Sequence, residues 1–146
     1  MIRIATPDDI FDIAKINETS LPENYDLDTY TRHLELYGLT YVVEVLDGDE
    51  SEIVGYIMGR IEDNVEAHIT SIAVLAGSRN SKFGQRLVLT MLVAAKKRGL
   101  KGCSLQVRKG NDAAQHVYKK LGFQPIRDLY NYYGDEDGVF MRRRLA

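Results

Sequence analysis

Groups that favour an anion gather where a strand-like segment hands over to a long amphipathic one. His68–Val74 is rich in β-branched residues, and Leu75-Ala76-Gly77-Ser78-Arg79-Asn80-Ser81-Lys82-Phe83-Gly84 follows it. The start of a helix presents unpaired N–H groups and the positive end of its dipole, which together suit a phosphate. Arg79 and Lys82 would add two cations there, and Gly84 would let the backbone approach an anion closely. The spacing is neither a Walker A loop nor a G-x-G-x-x-G fingerprint, so by itself it also fits an ordinary basic helix start. Other reactive types are sparse. Cys103 is the one cysteine, which excludes an internal disulfide and a thiolate metal cluster. His33, His68 and His116 lack tight ligand spacing, and no metal site is expected.

Charge divides along the chain. Residues 1–66 hold 16 acids and 4 bases, a net of −12, whereas residues 67–146 hold 5 acids and 15 bases, a net of +10. Between Arg79 and Lys120 lie 11 bases against the single acid Asp112. Such a split suits two surfaces with different partners, although solvated helix faces would also produce much of it. An overall net charge of −2 makes nucleic acid a weaker candidate.

These groups need elements to hold them. Ile2–Ile4 reads as a short strand, and Thr6-Pro7-Asp8-Asp9 as the capped start of a helix reaching about Glu18, with Ile10, Phe11, Ala14 and Ile16 on its apolar face. Ser20–Tyr25 breaks it at Pro22, and a second helix is expected over Asp28–Tyr37. Thr40–Leu46 and Ile53–Ile61 read as a hairpin turning at Asp47-Gly48-Asp49, with His68–Val74 paired next. Phe83, Leu87, Met91 and Ala95 recur at four-residue spacing, marking a long helix that Gly99 stops. Ser104–Val107 reads as a strand. Asn111 caps a helix whose Ala114, Val117, Tyr118 and Leu121 share a face, and strands near Ile126–Tyr130 and Val139–Arg143 close the chain.

A chain of 146 residues with 45% hydrophobic and 27% charged residues can bury one core, so a single domain over residues 1–146 is expected. No apolar run reaches the roughly 18–20 residues of a membrane span, and MIRIATPDD lacks the pattern of a secretory signal. The expected location is the cytoplasm.

HITSIAV, the R-x-x-x-x-G turn, SLQVRKGNDAAQHVYKKLGF and NYYGDEDGVFMRR, in that order, resemble the GNAT superfamily of acetyl-CoA-dependent N-acetyltransferases. LPENY with HITSIAV is particularly similar to the NatA catalytic subunit and its archaeal relatives, with RimI a more distant match. The resemblance runs from Ile2 to Arg143. It implies an α/β (α+β) fold with a mixed, mostly antiparallel sheet of about seven strands flanked by about four helices.

It also implies roles. Acetyl-CoA, the co-substrate, would lie along Ile72, Ala73 and Val74, with its diphosphate on Arg79, Asn80, Ser81, Lys82, Gly84 and Gln85, and Asn111 and Tyr118 along its arm. The family loop, [QR]-x-x-G-x-[GA], carries glycine where this chain has Lys82. A side chain there would crowd the diphosphate if the backbone needs positive φ, or add an ammonium contact to it. Glu23 matches the acid that positions the amine and draws off its proton, His68 a proton relay, and Tyr118 the donor to the leaving thiolate. Gln106 stands where close relatives have histidine and cannot act as a base. Leu21, Pro22, Glu23, Tyr25, Thr70, Tyr132 and Tyr133 would form the peptide slot, and Asp135–Asp137 would attract a cationic N-terminus.

The implied activity is transfer of acetyl to the α-amino group of protein N-termini by direct attack in a ternary complex. An α-amine, with a reference pKa near 8, is roughly a tenth neutral at pH 7, far more than a lysine. The expected partners are protein or peptide N-termini, at the ribosome among other places, with no membrane or nucleic acid, and the chain acting as monomer or homodimer. Acetylation of lysine side chains or a small amine, and a non-catalytic acyl-CoA sensor, stand as alternatives.

Overall fold

The computed structural model describes residues 1–145, apart from the side chains of Asn80 and Ser81. Along the chain run β1 (Ile2–Ile4), α1 (Ile10–Ser20), α2 (Leu27–Tyr37), β2 (Thr40–Asp47), β3 (Glu50–Glu62), β4 (Glu66–Val74), α3 (Phe83–Lys97), β5 (Gly102–Arg108), α4 (Asp112–Lys120), β6 (Gln124–Leu129) and β7 (Gly138–Arg144). The strands form one sheet in the order β1-β2-β3-β4-β5-β7-β6. Pairing is antiparallel for β1–β2, β2–β3, β5–β7 and β6–β7, and parallel for β4–β5. This is the mixed, mostly antiparallel α/β architecture expected of the chain.

The chain divides into two compact units, Met1–Arg60 with Thr70–Met91, and Ile61–Ile69 with Leu92–Ala146. In the first, Ile10, Ile13, Ala14 and Ile16 of α1 pack with Tyr30 of α2 and with Val42, Tyr56 and Met58 of the sheet. Phe11, expected on that apolar face, is instead 74% exposed, and Ile13 takes the buried position at 1%. Pro7–Asp9 forms a 3-10 turn and the α-helix opens at Ile10; Ile10, Ile13, Ala14, Ile16 and Asn17 share its buried stripe, and Phe11, about 100° round from Ile10, falls outside it. Asp9 accepts the Thr6 N–H at 2.8 Å and pairs with Arg3 at 2.8 Å, and this guanidinium holds its carboxyl below the usual range.

α1 stops where Leu21 turns extended (φ −131°) ahead of Pro22, and α2 starts where the Asp26 carboxylate accepts the Thr29 N–H at 2.9 Å. Residues 21–26 are therefore a short loop with both ends fixed by helix caps. Gly55 sits close to its neighbours: a Cβ there would lie 3.1 Å from Val74 Cγ2 and 3.2 Å from the Ala73 carbonyl, and these would have to give way by a few tenths of an ångström. α3 buries Leu87, Val88 and Met91, as its four-residue spacing predicts.

In the second unit β4 joins β5 through a parallel ladder that pairs Glu66–His68 with Gly102–Ser104. β5 then pairs with β7 along its whole length, from Gly102↔Arg144 to Arg108↔Gly138. Arg142 on β7 closes on the Glu66 carboxylate at 2.6 Å, tying these strands at one end. Asn111 caps α4 by accepting the Ala114 N–H at 3.1 Å. Cys103 is fully buried, and burial pushes its thiol up to about 12, as suits a small core hydrophobe rather than a nucleophile. β6 lies at the sheet edge, where Pro125 costs no ladder bond. No described helix is long and apolar enough to cross a membrane.

Candidate active site

Within the first unit, the loop after α1 is pinned at two points, once to α1 itself and once to the sheet. The Asn17 side-chain amide donates to the Glu23 carbonyl at 3.1 Å, and the Tyr25 hydroxyl donates to the Thr70 carbonyl on β4 at 3.2 Å. Leu21, Glu23 and Tyr25 are half-buried, whereas Pro22 is exposed. Four of the expected substrate residues, Leu21, Pro22, Glu23 and Tyr25, thus lie on one anchored loop, with Thr70 its point of attachment.

The expected diphosphate loop is a 3-10 turn, Ala76–Ser81, joined through Lys82 to α3. Arg86 N–H donates to the Lys82 carbonyl at 3.1 Å, so the N–H groups of Phe83, Gly84 and Gln85 precede that bond at the helix start. Lys82 occupies the left-handed region, φ +59°, ψ +23°. The backbone thus has the positive φ that the family glycine serves, with a lysine in its place. A Cβ at Gly84 would meet no atom within 4 Å, so the chain's own packing does not demand glycine there and the space beside the first turn of α3 is open. The residues present therefore fit a diphosphate. Arg79 donates through Nε to the Val74 carbonyl at 3.0 Å. One backbone group assigned to the cofactor arm thus already has a partner. Ile72 is half-buried and Ala73 buried on the same strand, and Gln85 is half-buried in the first turn of α3. The side-chain contacts expected of Asn80 and Ser81 lie outside the described residues.

In the second unit His68 is buried, 1% exposed, with both ring nitrogens engaged. Nε2 lies 2.7 Å from Gln106 Oε1 and Nδ1 2.7 Å from Ser104 Oγ, with Glu62 Oε1 at 3.4 Å from Nδ1. With the Gln106 oxygen accepting, Nε2 carries a hydrogen, while Nδ1 meets the Ser104 hydroxyl, which can donate or accept. A relay through this ring must therefore exchange one of two short bonds. Gln106, no base itself, sets which nitrogen is protonated. Phe140 stacks on the ring, 6.5 Å between centroids and 8° from parallel.

Tyr118 lies on the half-buried face of α4, edge-on to Phe123 at 5.9 Å, and burial pushes its phenol up to about 12. Tyr132 and Tyr133 meet edge to face at 4.9 Å, and the Arg108 guanidinium sits 4.5 Å above Tyr133. The acids that follow have local work. Asp135 and Glu136 pair with Arg108 at 2.9 and 3.4 Å, Glu136 accepts the Gly110 N–H at 2.7 Å, and Asp137 accepts the Asn131 N–H at 2.7 Å. Their carboxylates shape the loop that carries the tyrosine pair. Among the described residues no group of three or more His, Cys, Asp or Glu is placed to hold a metal.

A seven-stranded mixed sheet whose fourth strand leads into a basic turn and a long helix is an acyl-CoA acetyltransferase frame, and residues 9–123 match the model of the acetyltransferase (GNAT) family. The chain belongs to that family and is an acetyl-CoA-dependent acetyltransferase. It is 36% identical to an N-alpha-acetyltransferase of Saccharolobus solfataricus, across 99% of this chain and 92% of that one. It is 37% identical to an N-alpha-acetyltransferase of Sulfolobus acidocaldarius, across 96% and 89%. Among solved structures it superposes on Ard1 from Thermoplasma volcanium with a TM-score of 0.91 at 30% identity, covering 100% of this chain and 97% of that one. Naa20 of Chaetomium thermophilum, solved with a bisubstrate analogue, gives 0.86 at 28%, covering 99% and 86%.

No local pattern of residues marks Tyr56, Ser71 or Ser104 as partners in these polar contacts. Asn17 does carry a signal, a polar residue on the apolar stripe of α1.

Proposed function

We propose that this chain, as one catalytic domain, acetylates the α-amino group of protein N-termini. The observation that carries the reading is near-full-length identity of 36% to an N-alpha-acetyltransferase, and the anchored loop of Leu21–Tyr25 supports it. Acetyl-CoA supplies an activated acyl group. Glu23, directly or through water, takes the proton that the amine loses as its nitrogen bonds to the acyl carbon. Tyr118 gives its phenolic proton to the departing sulfur and recovers one from solvent. Burial that lifts the phenol lifts a neighbouring thiolate in the same direction, so their order as acids is kept. His68, its tautomer set by Gln106, serves as a polar support for this proton traffic. Ile72–Val74, Arg79, Lys82, Gly84, Gln85 and Asn111 hold the coenzyme, and Tyr25, Tyr132 and Tyr133 hold the peptide backbone. The proposed setting is the cytoplasm, on nascent or finished chains, at the ribosome for the former.

The test is a panel of peptides beginning Ser, Ala, Thr, Gly or Met, with thiol release followed and the modified nitrogen located by mass spectrometry. Label on the α-nitrogen of Ser- or Ala-starting peptides is the expected result. Label confined to internal lysines or free amines would replace this reading with the small-amine one.

A further inference from the structure

We infer that Asn17 and Tyr56 are positioning residues for Glu23, forming a buried polar strut that sets where the Glu23 carboxylate stands. The inference rests on Glu23 acting on the incoming amine, as proposed above. Asn17 is fully buried on α1, Tyr56 is fully buried on β3, and Ser71 is 7% exposed on β4. The Asn17 Nδ2 atom lies 3.1 Å from the Glu23 carbonyl and 3.0 Å from the Tyr56 hydroxyl, and that hydroxyl lies 2.6 Å from Ser71 Oγ.

The directions of these bonds follow from their chemistry. A backbone carbonyl only accepts, so the Asn17 atom facing Glu23 must be the NH2 nitrogen. Its two hydrogens then go to Glu23 and to Tyr56. Tyr56 accepts from Asn17, which leaves its own hydrogen to donate to Ser71. The amide holds this orientation although its Oδ1, also buried, has no partner among the described atoms. A side chain placed only for packing would not carry a fully buried amide with one end unsatisfied, because leucine would fill the position without that penalty.

The strut works with the second anchor. Glu23 is held at its own carbonyl through Asn17 and Tyr56, and two residues later by the Tyr25 hydroxyl on the Thr70 carbonyl. A loop held at its acid and again two residues beyond cannot drift along the strand, and a displacement of about 1 Å at a reacting centre can cost on the order of a hundredfold in rate.

A double-mutant cycle on the full chain, with acetyl-CoA and a Ser-starting peptide, tests this. Tyr56→Phe keeps the ring and removes the hydroxyl, and Asn17→Leu removes both donors. Each is expected to lower peptide kcat/KM by about tenfold while the KM for acetyl-CoA stays within about twofold. In a Glu23→Gln background the same changes should cost less than about twofold more, because the acid they position is gone. If Asn17→Leu does not fold, Tyr56→Phe completes the cycle alone. Full additivity with a costly Glu23→Gln overturns the strut and leaves the role of Glu23 intact. A rise in acetyl-CoA KM that tracks the peptide effect also overturns it, since that marks general loosening. Glu23→Gln at the wild-type rate is a separate failure, of the Glu23 assignment itself, and it takes the strut with it.

Discussion

The Thr70 hydroxyl donates to the His33 imidazole, with Oγ1 2.9 Å from Nε2. In the neutral ring Nδ1, 2.9 Å from the Thr29 carbonyl, which can only accept, carries the hydrogen, and Nε2 accepts from Thr70. Arg60 Nη1 approaches the same hydroxyl at 3.5 Å. Charging the ring would turn Thr70 into an acceptor from Nε2 beside the Arg60 cation.

Burial is the main reason that the His33 pKa falls below its ordinary value, and the cations Arg60 and Arg32 act in the same direction. The unfolded chain then binds the proton more readily than the folded one. Stability should be full above about pH 6.5 and decline as pH falls from there to the folded value. The lowered carboxyls of Asp9 and Asp26 titrate below this window. Denaturant unfolding of wild type and His33→Gln between pH 7.5 and 5 should give curves that converge toward acid, the variant being flatter. Parallel curves would show that His33 does not titrate against folding.

Lys82 makes a claim of opposite sign on stability and on binding. A non-glycine residue at φ +59° is strained by about 1 kcal/mol, so Lys82→Gly should raise the melting temperature by a few degrees. The same change removes a cation beside the start of α3. Acetyl-CoA binding, measured by titration at two salt concentrations, should weaken and lose part of its salt dependence. A large gain in affinity would instead mean that the lysine obstructs the diphosphate.

Gly84 separates ligand from fold more sharply. With no atom within 4 Å of an added Cβ, Gly84→Ala meets no clash, and helix propensity favours alanine by about 0.5–1 kcal/mol. Melting should hold or rise while the KM for acetyl-CoA increases by about tenfold or more, equivalent to roughly 1.4 kcal/mol of lost binding. An unchanged KM would move the diphosphate away from this turn.

The elements best read in advance are those with local causes. Four-residue spacing marked α3, Asn111 marked the start of α4, and Gly48, at φ +67°, marked the β2–β3 turn. What escaped depended on distant partners. Asn17 is a polar residue on the apolar stripe of α1, and its partner Tyr56 lies 39 residues on. His68 was legible as a reactive type, but its tautomer depends on Gln106 and Ser104 of another strand. Lys82 could be recognised as a departure only through the family loop, because lysine is no signal of positive φ. The insertion of β7 between β5 and β6 is likewise a non-local pairing that no run of residues announces.

Tyr118 gives the sharpest test of the proton assignments. Its phenol, pushed up to about 12 by burial, stays protonated from pH 6 to 10. A donor of this kind lowers the plateau of a pH–rate profile when it is removed, without moving either limb. Tyr118→Phe should therefore cut kcat by about tenfold or more while its profile keeps the wild-type shape. Glu23→Gln should lower the plateau as well, because no carboxylate is left to draw off the amine proton. Stopped-flow thiol release across this range, with both substrates saturating, measures the two together. Equal plateaus for wild type and Tyr118→Phe would leave the phenol as a packing residue beside Phe123. A Tyr118→Phe profile that lost a limb below pH 10 would mean that the phenol ionises in that range, against the upward shift its burial imposes.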